Sequence, residues 1–398
     1  MPVMQREKNI TAAKPKLWTL DFVLICLSSL TVCLAFHSLI PTLPMYIQEH
    51  GGSKSMAGLA MAALTVAAVI IRPVSGWALD RYGRRVILIA GLLTFLLPSL
   101  VYTLMLPIIP LLFFRFLQGF GWGIGTTSQG TVASDIIPGS RLGEGLGFFS
   151  LAVSISLATA PAIGLWLVNR FSFHALFLAG ALLTTISMAL GLLIKYPARK
   201  APEQAAKPVI IEKQALGPSL VMLLTTTTYS SLLSFLALFV QQKGMTTAGL
   251  FFTVVAVTTF ISRPLAGTIV DRKGRGGYDL TVFAGLFAII AAMIIIARTS
   301  SPGHLIAGGL LFGIGFGSVQ PSMLALCINS VPLHRRGAAN ATYWTAFDTG
   351  VAFGSVFWGV LANYSGYAVM YYLNIIPPLL ALPVYLWNKK SKLKPGAD

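Results

Sequence analysis

Charge is scarce in this sequence: only 10% of its 398 residues are Asp, Glu, Lys or Arg, and 12 of these are acidic against 29 basic. A soluble domain carries roughly a quarter charged residues, so the chain lacks the polar surface that a water-soluble globule needs. Cysteine is also sparse. Cys26, Cys33 and Cys327 all fall in apolar runs, where they read as small packing residues rather than a disulfide framework or metal site. The sequence has no Walker-type phosphate loop and no H-E-x-x-H, which leaves ATP drive and zinc hydrolysis without a motif. The Gly-rich strings from Gly119 and Gly313 lack the preceding strand of a dinucleotide site. Gly119 with Gly123, and Gly313 with Gly317, instead make spacing-four contact faces between helices. A short removable leader is not expected, because the first apolar run is far longer than such a segment.

What the sequence does have is apolar runs of about 20 residues or more, the length a spanning helix requires. Twelve helices are expected, at 18–46, 55–79, 86–106, 109–134, 142–168, 173–195, 216–242, 246–270, 279–298, 303–328, 336–362 and 367–388. With these boundaries the loops alternate between two sides. Of the 29 Lys and Arg, 22 lie on the side of the termini, four lie on the other, and three fall within helices. That bias predicts an even number of crossings with both ends cytoplasmic, in the cell's inner (cytoplasmic) membrane. The basic pI therefore reports topology and contact with anionic membrane lipid, with no nucleic-acid partner implied. The polar stretch 196–215 divides the runs six and six. The organisation expected is a tail at 1–17, a six-helix bundle at 18–195, a cytoplasmic linker at 196–215, a second bundle at 216–388 and a tail at 389–398.

An internal repeat supports this division. Residues 57–84 overlay 248–275 with 12 of 28 positions identical, including R-P-V-S-G-W-A-L-D-R-Y-G-R against R-P-L-A-G-T-I-V-D-R-K-G-R. Weaker echoes follow at Gly119 and Gly315, and at Pro138 and Arg141 against Pro332 and Arg335. Duplicated halves of this kind pack around a midplane site and rock against each other.

The loop from Gly76 to Arg85, G-W-A-L-D-R-Y-G-R-R, resembles the cytoplasmic signature of the major facilitator superfamily, and Gly267 to Arg275 resembles its degenerate second copy. The resemblance spans the whole chain. It implies an all-α membrane fold of twelve helices in two pseudo-symmetric six-helix bundles. Gly76 and Gly83 permit close approach and a tight turn, and Asp80 is a carboxylate able to cap a helix N-terminus. By resemblance, Asp80 meets the start of helix 11 as a conformational latch with Arg81 and Arg84 as partners. Asp271, Arg272 and Arg275 are the second copy.

R-F-L-Q-G from Arg115 resembles a second family motif, associated with proton coupling. An arginine inside a span is expensive unless paired or hydrated. His37 lies at a comparable depth and titrates near physiological pH, so His37 and Arg115 are expected to share one polar pocket. Asp348, deep in helix 11, and Asp21, near the inner end of helix 1, are the acidic proton-coupling candidates. A-T-A-P-A-I-G, with Pro161 and Gly164, resembles the family's antiporter motif, although Ala160 stands where that motif has glycine. Gln118, Trp122, Gln129, Tyr229, Gln320, Trp344 and Asn374 are candidates for lining a central cavity.

The reading that results is a secondary active transporter, not an enzyme, with no cofactor and no metal. It is expected to work as a monomer by alternating access, resembling bacterial drug/proton antiporters that export a small amphipathic or lipophilic compound in exchange for protons. Transport of a sugar, organic acid or metallophore on the same fold is the alternative, and a lipid-handling membrane protein is a third.

Overall fold

Inside hydrocarbon each backbone N–H and C=O must bond within its own segment, so apolar runs of this length become helices. A computed structural model of the chain describes residues 15–52, 54–196, 210–245 and 248–391, and all regular structure among them is helical. The helices are α1 (Leu20–Glu49), α2 (Lys54–Tyr82), α3 (Arg84–Tyr102), α4 (Ile108–Ile136), α5 (Leu142–Arg170), α6 (Phe173–Leu193), α7 (Leu216–Gln242), α8 (Ala248–Lys273), α9 (Arg275–Ala297), α10 (Pro302–Asn329), α11 (Arg336–Leu373) and α12 (Ile376–Ser391). Side-chain caps start two of them: Thr19 accepts from the Phe22 amide at 3.2 Å, and Ser172 accepts from Ala175 at 3.2 Å. Among the described residues, eleven helices are long and apolar enough to cross a membrane. Large apolar residues such as Leu97, Phe113, Val257, Phe287 and Phe353 stand exposed on the outside, as a surface facing lipid tails requires.

The last two helices differ from the expected pair. The eleventh segment runs straight into the twelfth through Gly366, whose φ of 77° breaks the helix and only glycine adopts readily. The expected helix at 367–388 is itself interrupted at Asn374 and Ile375. The cause lies in Pro377 and Pro378: neither has an amide proton to return to Leu373 or Asn374. The Thr228 hydroxyl donates to the Asn374 carbonyl at 3.2 Å instead. Two turns thus separate three helical pieces where two helices were expected, and the last of them, from Ile376, is an apolar helix shorter than the other spans.

Helices α1 to α6 form one bundle and α7 to α12 its pseudo-symmetric partner. The spacing-four glycines pack as close-approach faces. Gly119 and Gly123 sit against Leu64 and Ala68 of α2, while Gly313 and Gly317 sit against Val255 and Thr259 of α8. Most of the expected linker, 197–209, lies outside the described residues, as do the tail residues 1–14 and 392–398. The linker's described end is not free. Glu212 is buried, its amide donates to the Thr342 hydroxyl at 3.0 Å, and its carboxylate pairs with Arg335 at 3.4 Å.

The halves meet along two seams, α2 against α11 and α5 against α8. Hydrogen bonds joining the halves run from mid-depth to the face where α2 and α8 end and α5 and α11 begin. That face is closed.

Candidate functional site

At the closed face, Asp80 at the end of α2 accepts from the Gly337 amide at 3.1 Å and the Ala338 amide at 2.9 Å, capping α11. The helix end concentrates unbonded N–H groups and partial positive charge, so a carboxylate is the favoured occupant. The repeat builds the same joint on the other seam. Asp271 at the end of α8 accepts from Gly143 at 2.8 Å and Glu144 at 2.7 Å at the start of α5. Glycine makes both joints possible. A methyl added to Gly76 would collide with Ala341, and one added to Gly267 would collide with the Gly143 backbone. Gly83 and Gly274, which follow the two carboxylates, have φ of 95° and 53° and turn the chain into the next helix.

The surrounding charges differ between the seams. Arg84 is buried and reaches Asp80 at 2.7 Å, Asp135 at 2.8 Å and the Leu79 carbonyl at 2.7 Å. Arg336 of α11 reaches Asp135 at 3.4 Å and donates to the Ser134 carbonyl. Arg81, expected beside Asp80, is exposed over the rings of Trp77 and Tyr82, at 5.9 and 5.8 Å. Around Asp271 the ion pair among the described residues is local, Arg141 with Glu144 at 2.7 Å, and Arg272 and Arg275 are exposed.

Ten residues before the ends of α2 and α8, about 15 Å deeper at 1.5 Å per residue, stand Arg72 and Arg263. Both are buried. Arg72 donates from Nε to Asp348 Oδ2 at 2.8 Å across the seam, and from Nη1 to Thr126 and Thr127 at 3.0 and 3.1 Å. Its guanidinium carbon lies 5.7 Å from the Trp344 ring. Asp348 keeps 18% of its side chain exposed, so the pair is not sealed within the packing. Arg263 crosses the other seam and donates from Nη1 to the Ser150 carbonyl. Neither arginine is in the candidate set that the sequence motifs suggest, although each belongs to the R-P pair of the repeat and its presence within a span was signal enough.

The remaining candidates fall in separate places. Arg115 donates to Gln118 Oε1 at 2.6 Å and lies 5.6 Å from the Phe36 ring. Gln118 also receives the Tyr102 hydroxyl at 3.2 Å. His37 is bonded to Ser156 at 2.7 Å, with Phe36 and Trp122 stacked at 3.9 Å beside it. Instead of the expected common pocket, His37 and Arg115 have separate polar partners and each meets the Phe36 ring. Asp21 accepts from the Lys195 amide at 2.9 Å, tying the start of α1 to the end of α6 far from mid-depth. Gly164 packs on Ser38 of α1, and Pro161 lies one turn earlier, so that motif forms an α1–α5 contact. Gln129 donates to Ser28 at 3.1 Å and Asn374 donates to Ser231, both inside their own bundles. Tyr229 stacks on Phe316 at 4.7 Å, the Gln320 carbonyl accepts from Tyr343 at 2.9 Å, and Trp344 contacts Phe347 at 5.1 Å. Tyr229, Gln320 and Trp344 are thus linked through their neighbours around the two arginines at mid-depth.

Comparison with known proteins accords with this architecture. Residues 25–355 and 280–397 match the family model described as Major Facilitator Superfamily. The multi-drug resistance efflux pump PmrA of Streptococcus pneumoniae is 27% identical over 84% of this chain and 87% of its own. The staphylopine export protein of Staphylococcus aureus is 20% identical over 89% and 92%. Among solved structures, the human organic anion transporter MFSD10 (TETRAN) superposes with a TM-score of 0.77 at 17% identity, covering 92% of this chain and 99% of that one. With duplicated halves, twin capped seams and a family match over most of its length, this multi-pass membrane chain belongs to the major facilitator superfamily and is a transporter rather than an enzyme.

Proposed function

We propose that this protein exports a small amphipathic or lipophilic compound in exchange for protons, with Asp348 as the group that carries the proton and Arg72 as its counter-charge. The observation that carries the reading is the Arg72–Asp348 pair, held at 2.8 Å between the halves at mid-depth with its carboxylate partly exposed. Ionised Asp348 ties α2 to α11 in the conformation closed at the latch. Protonation removes the negative charge, leaves Arg72 without a counter-ion, and weakens this seam relative to the state open on the latch face. A proton taken from the open side thereby favours reorientation inward. Release there and binding of cargo favour the return, which is the order that antiport requires. Asp80 and Asp271 act as latches that part on each cycle, and the site needs one copy of the chain.

The excess of Lys and Arg around the latch favours a cytoplasmic position for that face and both termini, and the inner membrane as location. The name of PmrA supports drug-like cargo, and the aromatic residues near mid-depth suit it. Export of a metallophore is the second reading, favoured by the likeness to the staphylopine export protein.

Proteoliposomes with an imposed pH gradient test the proposal against a panel of dyes, sugars and metal chelates. Uptake of an amphipathic dye against the proton gradient is expected in the wild type and should lose its pH dependence in Asp348→Asn. The same pH dependence in Asp348→Asn and in His37→Ala would remove both groups from the coupling role.

A further inference from the structure

The two seams carry the same polar scaffold with one group missing. Asp80 caps Gly337 and Asp271 caps Gly143, which relates α11 to α5 by an offset of 194 residues. In that register the residue on α5 equivalent to Asp348 is Ser154. Arg72 gives its Nε proton to the Asp348 carboxylate and its Nη1 protons to neutral oxygens. Its repeat equivalent, Arg263, likewise gives Nη1 to a neutral oxygen, the Ser150 carbonyl, but its Nε is buried with no partner.

Among the described residues, the ionisable groups that act on Arg263 are the hydroxyls of Tyr229 and Tyr343, which carry no charge at neutral pH. A guanidinium kept at mid-depth without a counter-ion is among the costliest groups to hold in a span. Its unpaired Nε edge belongs to the planar guanidinium that matches a carboxylate. Beside it, Tyr229 stacks on Phe316, Phe316 meets Phe347 at 6.5 Å, and Phe347 meets Trp344, forming an aromatic wall that runs from Arg263 towards Arg72. Two further buried polar atoms near this wall, Gln320 Oε1 and Trp344 Nε1, also have no partner.

We propose that Arg263 is the residue that receives an anionic cargo: it takes the carboxylate of an amphipathic organic acid whose apolar body lies along the Tyr229–Phe316–Trp344 wall. The proposal rests on the transport reading above and narrows its cargo. A bound carboxylate supplies Arg263 with the counter-charge that Asp348 supplies to Arg72, so the loaded carrier has a charge pair on both seams.

Binding is read in detergent as quenching of tryptophan fluorescence by two probes that differ only in charge, pyrenebutyrate and its amide, with gel filtration confirming that each variant is folded. The wild type is expected to prefer the carboxylate. Arg263→Gln should cut the carboxylate-to-amide preference about tenfold or more, the size of a lost charge-assisted hydrogen bond, and Arg263→Lys should keep part of it. Ser154→Asp supplies an internal carboxylate to the same guanidinium and should cut the preference as Arg263→Gln does. A wild type with no preference for the carboxylate, or variants that retain the wild-type ratio, overturn the proposal. Transport in proteoliposomes separates the two readings. Charge-selective binding without proton-driven transport defeats the antiport reading alone, and proton-driven transport without charge selectivity defeats this one alone.

Discussion

The seam between α2 and α11 and the seam between α8 and α5 start from one duplicated sequence and share one backbone design, yet only the first is built around interlocked charge. Both close on a glycine contact and a carboxylate cap. On the first, Arg84, Asp135 and Arg336 surround the cap, and Arg72 finds Asp348 deeper down. On the second, Arg141, just before α5, pairs with Glu144 in the first turn of that helix, and Arg263 finds a carbonyl. The duplicated elements preserve how closely helices approach, which glycine decides. The partners that lie outside the repeat decide where charge is compensated. Opening the first seam therefore means separating ions, whereas opening the second means releasing mainly backbone hydrogen bonds.

The largest test of that contrast is at mid-depth. Arg72→Gln strands a partly buried carboxylate and should lower folding stability by about 3 kcal/mol, with most of the loss recovered in the double variant Arg72→Gln/Asp348→Asn. Arg263→Gln strands no carboxylate and should cost clearly less. Thermal unfolding in micelles reads all three, and equal losses for Arg72→Gln and Arg263→Gln would erase the distinction. At the latch, Asp80→Asn weakens bonds to two amides and Arg84, together worth about 2–3 kcal/mol. Maleimide labelling of Ser134→Cys, in a background without the native cysteines, should rise by tens-fold.

The glycine contacts sharpen the comparison in the opposite sense. Gly267→Ala sets a methyl against the backbone of Gly143, while Gly76→Ala sets it against the Ala341 methyl as well as the backbone nearby. Overpacking of this kind costs about 1–3 kcal/mol, and the more rigid obstacle should make Gly267→Ala the worse of the two in the same labelling assay. The smallest effect is expected from Asp271→Asn, which weakens two backbone bonds without a surrounding ion network. A loss of about 1 kcal/mol corresponds to roughly fivefold more labelling. An effect as large as that of Asp80→Asn would show that the seams are energetically alike.

Much of this architecture was legible in the chain itself. Run length and the scarcity of charge require spanning helices, because lipid offers no partner to an exposed backbone. The repeat from Ala57 to Arg84 requires that α2 and α8 be equivalents. Asp80 was identifiable as a cap because a carboxylate beside a glycine turn at the end of a span has few other uses. Less legible was the path of the chain after Gly366, where the hydrophobic pattern continues through a turn that depends on adjacent prolines and a threonine from α7.

Side-chain pairing was settled only by tertiary structure. Asp348 and Arg72 are 276 positions apart, and no periodicity within α2 or α11 states that they meet. His37 and Arg115 stand at similar depths, yet each meets the Phe36 ring rather than the other. Depth along a helix follows from counting residues, because the rise is fixed. The direction in which a side chain points, and the group it meets, depend on how separate helices rotate and cross, and that is set by all their contacts at once.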